Sequence, residues 1–166
     1  LLAVAEGLRD GAAVRYLAIG LFAFFRPGEI EHAEVLGDVV RVSHGKLRGK
    51  RAMRFVPVVP QLRAYLDAYP ASPSRPERWR TLFDRIRAIA GVEWQADILR
   101  HTGISVRLAE TANEAQTARE AGNSPDVIYR HYWAALSQRE AAAFRAYVWP
   151  LQRLISSCSG RGKATK

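Results

Sequence analysis

A single cysteine, Cys158, occurs among the 166 residues, so no disulfide can close within the chain and no multi-cysteine zinc site can be built. That usage points to a reducing cytosol as the compartment. Apolar runs long enough to cross a bilayer are also missing. About 20 consecutive apolar residues are needed, and the longest stretch, "YLAIGLFAFF", is shorter and runs straight into Arg26. Neither a signal peptide nor an initiator methionine is present, and "LLAVAEGL" opens in mid-helix, which predicts a piece of something longer. No internal repeat recurs. Acidic residues are the scarce sign of charge: 16 Asp and Glu stand against 25 Lys and Arg, a net +9. This surplus favours a polyanionic partner through steering and counterion release. Charge alone does not choose among RNA, DNA and an anionic membrane surface.

What is present is enough for one packed domain, since 48% of the residues are hydrophobic. Apolar residues at helical spacing fill 13–25, and "RPGE" then turns the chain, with Pro27 suited to a first helical position and Arg26 at the elbow. From Val35 to Val59 the pattern becomes short and β-branched. "VVRV" and "RFVPVV" flank "SHGKLRGKRAM", which reads as a β-hairpin with a cationic connection. Helical spacing resumes at "PQLRAYLDAY" and "ERWRTLFDRIRAIAG", and continues over about 97–109, 113–121, 125–135 and 138–148. Ser124 before Pro125 is a helix start, and Ser137 with Glu140 is a capping box. The expected fold is therefore mainly α with one small antiparallel β-sheet, an α+β domain over 1–150. A basic, flexible tail is expected over 151–166.

One constellation carries chemistry. "LRHT" is followed by "GNS", and a tyrosine stands nine residues past the Asn. Upstream lies "FRPGE", and between them the basic hairpin. In this order the motifs resemble the catalytic domain of the tyrosine recombinases, the phage-integrase family, whose segments run L-R-x-x-E, H-x-L-R-H-T, G-H-S and Y-T-H. The resemblance covers about residues 1–150. It implies a tyrosine recombinase catalytic-domain-like fold, with the family's N-terminal core-binding domain absent from this chain. Arg26 and Arg100 would be the catalytic arginines, Tyr132 the nucleophile and Asn123 the residue at the G-H-S position. A hairpin lysine would be the general acid: Lys50 if the hairpin is one residue shorter than usual, Lys46 otherwise. Lys46, Arg48 and Arg51 would contact DNA.

The chemistry fits those residue types. Transesterification of a phosphodiester passes through a pentacoordinate phosphorane with added negative charge on its non-bridging oxygens. Two forked, permanently charged guanidiniums suit it as lysines cannot. A phenol needs a proton acceptor or nearby positive charge to attack near neutrality. Attack would leave a 3′-phosphotyrosyl bond and a free 5′-hydroxyl, with no metal, ATP or other cofactor. His101 is open between two readings, catalyst or packing residue. Tyr129, one helical turn before Tyr132, is the rival nucleophile; the interval from Asn123 favours Tyr132.

Two positions depart from the family. Asp97 stands where a histidine is usual, and a carboxylate there would be repelled by phosphate, so it is not expected to touch substrate. Asn123 offers an uncharged amide in place of a titrating ring, expected to donate a hydrogen bond to a phosphate oxygen. Trp79, Trp94, Trp133 and Trp149 read as packing residues. The resemblance further implies double-stranded DNA as partner and a homotetramer on two DNA sites. "SQREAAAFRAYVWPLQRLI" would be the segment exchanged between subunits, and the location a bacterial, nucleoid-associated cytoplasm. A catalytically degenerate DNA-binding protein of the same fold and a type IB topoisomerase-like enzyme are the alternatives.

Overall fold

The structure, a computed structural model, describes residues 1–43, 46–47, 50–51, 53–72, 74–133 and 135–150, with the backbone alone at 46, 47, 50 and 51. The apolar stretch too short to span a membrane forms the centre of the domain. It is helix α2 (Val14–Phe22), in which every residue except Arg15 is buried, as a helix apolar on all sides must be. Before it come α1 (Leu2–Glu6) and a 3₁₀ turn at Arg9–Gly11. The helix ends earlier than the spacing predicts. Phe24 adopts φ 45, a left-handed conformation that costs a non-glycine residue about 1 kcal/mol or more. The chain then turns into α3 (Pro27–Ile30), with Pro27 at its first position.

The sheet has three strands, β1 (Glu34–Leu36), β2 (Val39–Val42) and β5 (Arg54–Pro57), all antiparallel and in the order β1-β2-β5. The expected hairpin is β2 with β5, in the register Val40 to Val56 and Val42 to Arg54. Strand β1 was not legible, because three residues are too few to show alternation. Within the connection, β3 (Lys46–Leu47) and β4 (Lys50–Arg51) pair with each other, Lys46 opposite Arg51 and Leu47 opposite Lys50.

Six helices follow: α4 (Pro60–Ala68), α5 (Trp79–Ala90), α6 (Ile98–Thr111), α7 (Glu114–Ala121), α8 (Pro125–Tyr132) and α9 (Gln138–Tyr147). Both predicted caps form: Ser124 Oγ accepts from the Val127 N–H, and Ser137 and Glu140 cap each other. Helix α6 lies so close to α2 that a Cβ at Gly103 would sit 2.1 Å from the Leu21 carbonyl oxygen. Only glycine allows that approach.

Helix α9 packs against α6 of its own chain. The Arg145 guanidinium grips the Glu110 carboxylate through two hydrogen bonds of 2.6 and 3.1 Å, and Gln61 Nε2 donates to the Arg145 carbonyl at 2.9 Å. The segment expected to pass to another subunit is thus seated in cis over 138–147. The expected tail, 151–166, lies outside the described residues. Among the described residues no helix is long and apolar enough to cross a membrane.

Candidate active site

The site forms where three chain reversals meet. The first is the elbow before α3. Arg26 is the N-cap, its backbone N–H donates to Glu29 Oε2 at 2.9 Å, and Nη1 reaches Glu29 Oε1 at 3.4 Å. Its side chain is 46% exposed. The second is the start of α6, where Arg100 projects inward and is 5% exposed. Arg100 Nη1 donates to the Phe24 carbonyl at 2.6 Å, so the strained turn at Phe24 supplies an acceptor for a buried cation.

The Gly-Asn-Ser turn between α7 and α8 is the third reversal, and each residue has its own task. Gly122 ends α7 at φ 67, where a side chain would be strained. A Cβ there would also meet Arg54 Nη1 at 2.4 Å. This ending leaves the Ala121 carbonyl, one of the unpaired acceptors of a helix C-terminus, free of an intrahelical partner. It takes Arg100 Nη2 at 2.7 Å and Arg54 Nη1 at 3.0 Å. Asn123 Oδ1 accepts from Arg100 Nη2 at 3.1 Å and from Arg26 Nη2 at 3.3 Å. Arg26 and Arg100, far apart in sequence, therefore meet on one oxygen. Facing two guanidiniums, the amide must present its carbonyl end, which turns the NH₂ end away from the arginines. The amide donor expected of Asn123 toward a phosphate is in this arrangement an acceptor toward the arginines. Ser124 then caps α8.

Tyr132 closes α8. Its hydroxyl lies 2.9 Å from His101 Nδ1, with the two rings 5.4 Å apart and 27° from parallel. Burial raises the Tyr132 phenol above its usual pKa, while the charges of Arg100 and Arg26 pull it down and that of Asp97 pushes it up. Tyr129 differs: it is 56% exposed and packs on Trp133, itself exposed, at 5.5 Å. Trp133, read from the sequence as a packing residue, thus packs on Tyr129 at the surface and not in the core.

Sequence reasoning passed over Arg54 and the work of Glu29. Arg54 is 8% exposed. Its Nη1 and Nη2 donate to the two Glu29 oxygens at 3.1 and 2.6 Å, and its guanidinium lies over the Phe25 ring at 5.1 Å. Burial pushes the Glu29 carboxyl upward, but the Arg54 hydrogen bond, the Arg26 amide and both positive charges outweigh it and hold the carboxyl below the usual glutamate value. The signal for Arg54 was strand alternation: in "RFVP" the Val56 side chain faces the core and Phe55 faces water, which places Arg54 on the buried face.

The electrostatics follow from that count. Two guanidiniums, Arg26 and Arg54, bond the single carboxylate of Glu29, and Arg100 next to them bonds Asn123 and no carboxylate, so the cluster holds more positive charge than Glu29 neutralises. Burial, with repulsion from Arg26 and Arg54, lowers Arg100 to about 10, still charged near neutrality. A cation cluster with more charge than it can pair, opening to solvent at Arg26, is suited to an anion. Asp97, exposed at the N-cap of α6 with φ 58, stands beside the cluster. The side chains of the hairpin residues Lys46, Lys50 and Arg51, and the whole of Arg48, lie outside the described residues. Among the described residues no group of three or more His, Cys, Asp or Glu side chains could hold a metal ion. Comparison of the chain with protein-family models, with curated proteins and with solved structures returned no match in any of the three.

Proposed function

We propose that this chain is the catalytic domain of a DNA strand transferase of the tyrosine-recombinase kind, cleaving and rejoining double-stranded DNA through a 3′-phosphotyrosyl intermediate. The reading is carried by one observation: the Tyr132 hydroxyl rests on His101 Nδ1 beside two arginines that converge on the Asn123 oxygen. In the proposed reaction the scissile phosphate displaces that oxygen and takes the donors of Arg26 and Arg100. Tyr132 Oη attacks phosphorus as its proton passes to His101 Nδ1. The Oη–P bond forms, the P–O5′ bond breaks, and a hairpin lysine, Lys50 or Lys46, protonates the departing 5′-oxygen. The ester bond is conserved in the phosphotyrosine, so rejoining needs no ATP. A neutral phenol raised by burial calls for a proton acceptor in contact, which is the role given to His101. Assembly as a homotetramer on two DNA sites belongs to the same proposal.

A second reading, a DNA-binding protein without chemistry, is favoured by one feature. Arg100 already donates to Phe24, Ala121 and Asn123, so its buried guanidinium is satisfied with no phosphate present. The two readings separate on a nicked duplex that traps covalent intermediates. The protein is expected to form a denaturant-resistant adduct, Tyr132→Phe to bind DNA but form none, and Tyr129→Phe to keep the adduct. An adduct that survives in Tyr132→Phe and is lost in Tyr129→Phe would move the nucleophile. DNA binding with no adduct in any form would leave the binding reading.

A further inference from the structure

Beside the arginine cluster lies a cavity of about 210 Å³ that opens to solvent. Its walls are aromatic. Trp79 lies against Tyr16 at 4.0 Å and stacks on Phe83 at 4.8 Å, and Phe83 meets Trp94 edge-on at 4.5 Å. Trp79, Phe83 and Trp94 are each only half-buried, so this is not a closed core but a lined recess. Gly20, Pro27, Ile30 and Leu99 add an apolar side, and Arg100 and Asp97 are the two charged residues of the lining. The volume falls below the roughly 300 Å³ of the smaller drug-sized pockets, which suits one flat ring system and not a whole nucleotide.

Resting on the proposed reading of the neighbouring cluster as a phosphate site, we propose that this cavity receives an unpaired nucleobase of the same DNA strand, guanine in preference to thymine. Three observations converge on it. Arg100 belongs to both the cavity wall and the anion cluster, so a phosphate at the cluster and a ring in the cavity can belong to adjacent parts of one strand. The rings already lie against one another and, at Phe83, under the Arg87 guanidinium, so a base would be held between their half-exposed edges and the apolar wall, contacts that do not depend on which base it is. The carboxylate is the third. Asp97 makes no side-chain cap to its own helix, and it can only accept hydrogen bonds. Against phosphate it is repulsive, but against the N1–H and amino group of guanine it offers two acceptors. A family departure that weakens phosphate contact thereby becomes a recognition element for a base.

The test measures binding of four duplexes that differ at one position: fully paired, or carrying a single bulged guanine, a bulged thymine or a bulged abasic residue. Tryptophan fluorescence, measured with Trp133 and Trp149 both replaced by Phe so that Trp79 and Trp94 alone emit, reports occupancy of the cavity. The guanine bulge is expected to bind about tenfold more tightly than the abasic bulge and to quench the tryptophans, with thymine between them. Asp97→Asn should remove the preference for guanine over thymine and keep the advantage of either base over the abasic site. Asparagine tolerates the left-handed backbone at this position, so the variant should melt like the parent. Equal affinity for the guanine and abasic bulges would overturn the base pocket and leave the phosphate reading standing. Failure to bind any of the duplexes would instead overturn the reading on which it rests. Quenching by free deoxyguanosine monophosphate without any bulge preference would make the cavity a nucleotide site and overturn its assignment to a DNA strand.

Discussion

Two arginines on α6, about two turns apart, have opposite surroundings. Arg107 meets Glu120 one to one, its Nε and Nη2 each donating to a carboxylate oxygen at 2.7 and 2.8 Å, with Gln116 bracing the same carboxylate at 2.9 Å. The Glu120 hydrogen bonds raise the Arg107 guanidinium against the opposing effect of burial. Arg100 has no carboxylate of its own. It donates to two carbonyls and an amide, and burial with repulsion from Arg26 and Arg54 lowers it to about 10. The same side chain on the same helix closes a seam at one end and holds surplus charge at the other. Pairing satisfies a fold, and a surplus is worth its repulsion where an anion is to arrive.

The largest expected effect that sharpens this contrast is at Glu29. Glu29→Gln leaves buried Arg54 without a counter-charge, and loss of about 3–5 kcal/mol of stability is expected, read from urea denaturation. The sign of its pH dependence follows. Because the Glu29 carboxyl is held below its usual value, its stabilisation is complete above the unfolded-chain pKa and lost as pH falls through the lower folded one. The acid limb of the stability profile should therefore be steeper in the parent than in Glu29→Gln. Arg26→Ala, at a half-exposed position, should behave in the reverse way: a fall of about 10²–10³ in adduct formation, with stability within about 0.5 kcal/mol of the parent.

Smaller still is Glu120→Gln, which keeps a hydrogen-bonding shape and loses only charge. Arg107 retains some contact with water, so about 1–2 kcal/mol is expected, with no effect on DNA binding. A loss at Glu120 equal to that at Glu29, or a stability loss in Arg26→Ala without a loss of chemistry, would break the distinction between paired and surplus arginines. The least effect is on salt dependence. DNA affinity should fall with salt by about 0.9 logarithmic units per phosphate neutralised, and Arg26→Ala should reduce that slope by about 1.

Much of this architecture was legible along the chain because it is local. Periodicity marked α2, α4, α5 and α6, Pro27 and Ser124 marked helix starts, and β-branched runs marked β2 and β5. The sharp end of α2 was not legible, since Phe24 has no intrinsic reason to adopt a left-handed turn and is held there by burial and by the Arg100 contact. The exposure of Trp133 was not legible for a related reason: residue type gives an average burial, and the place of the residue that follows α8 is set by where that helix lies.

For the candidate site the division is similar. By itself the sequence determined which chemically able residues exist and their spacing: a Gly-Asn-Ser turn that must reverse the chain, a tyrosine a fixed distance after it, and arginines at two helix starts. Only the tertiary structure decided that Arg26 and Arg100 share the Asn123 oxygen, that Arg54 and Glu29 form the buried base beneath them, and that His101 rather than solvent meets Tyr132. The physical reason is that turns and helix starts are set by neighbours a few residues away, whereas each of these contacts joins different elements. Their formation depends on the apolar packing of α2 against α6, which no local pattern encodes.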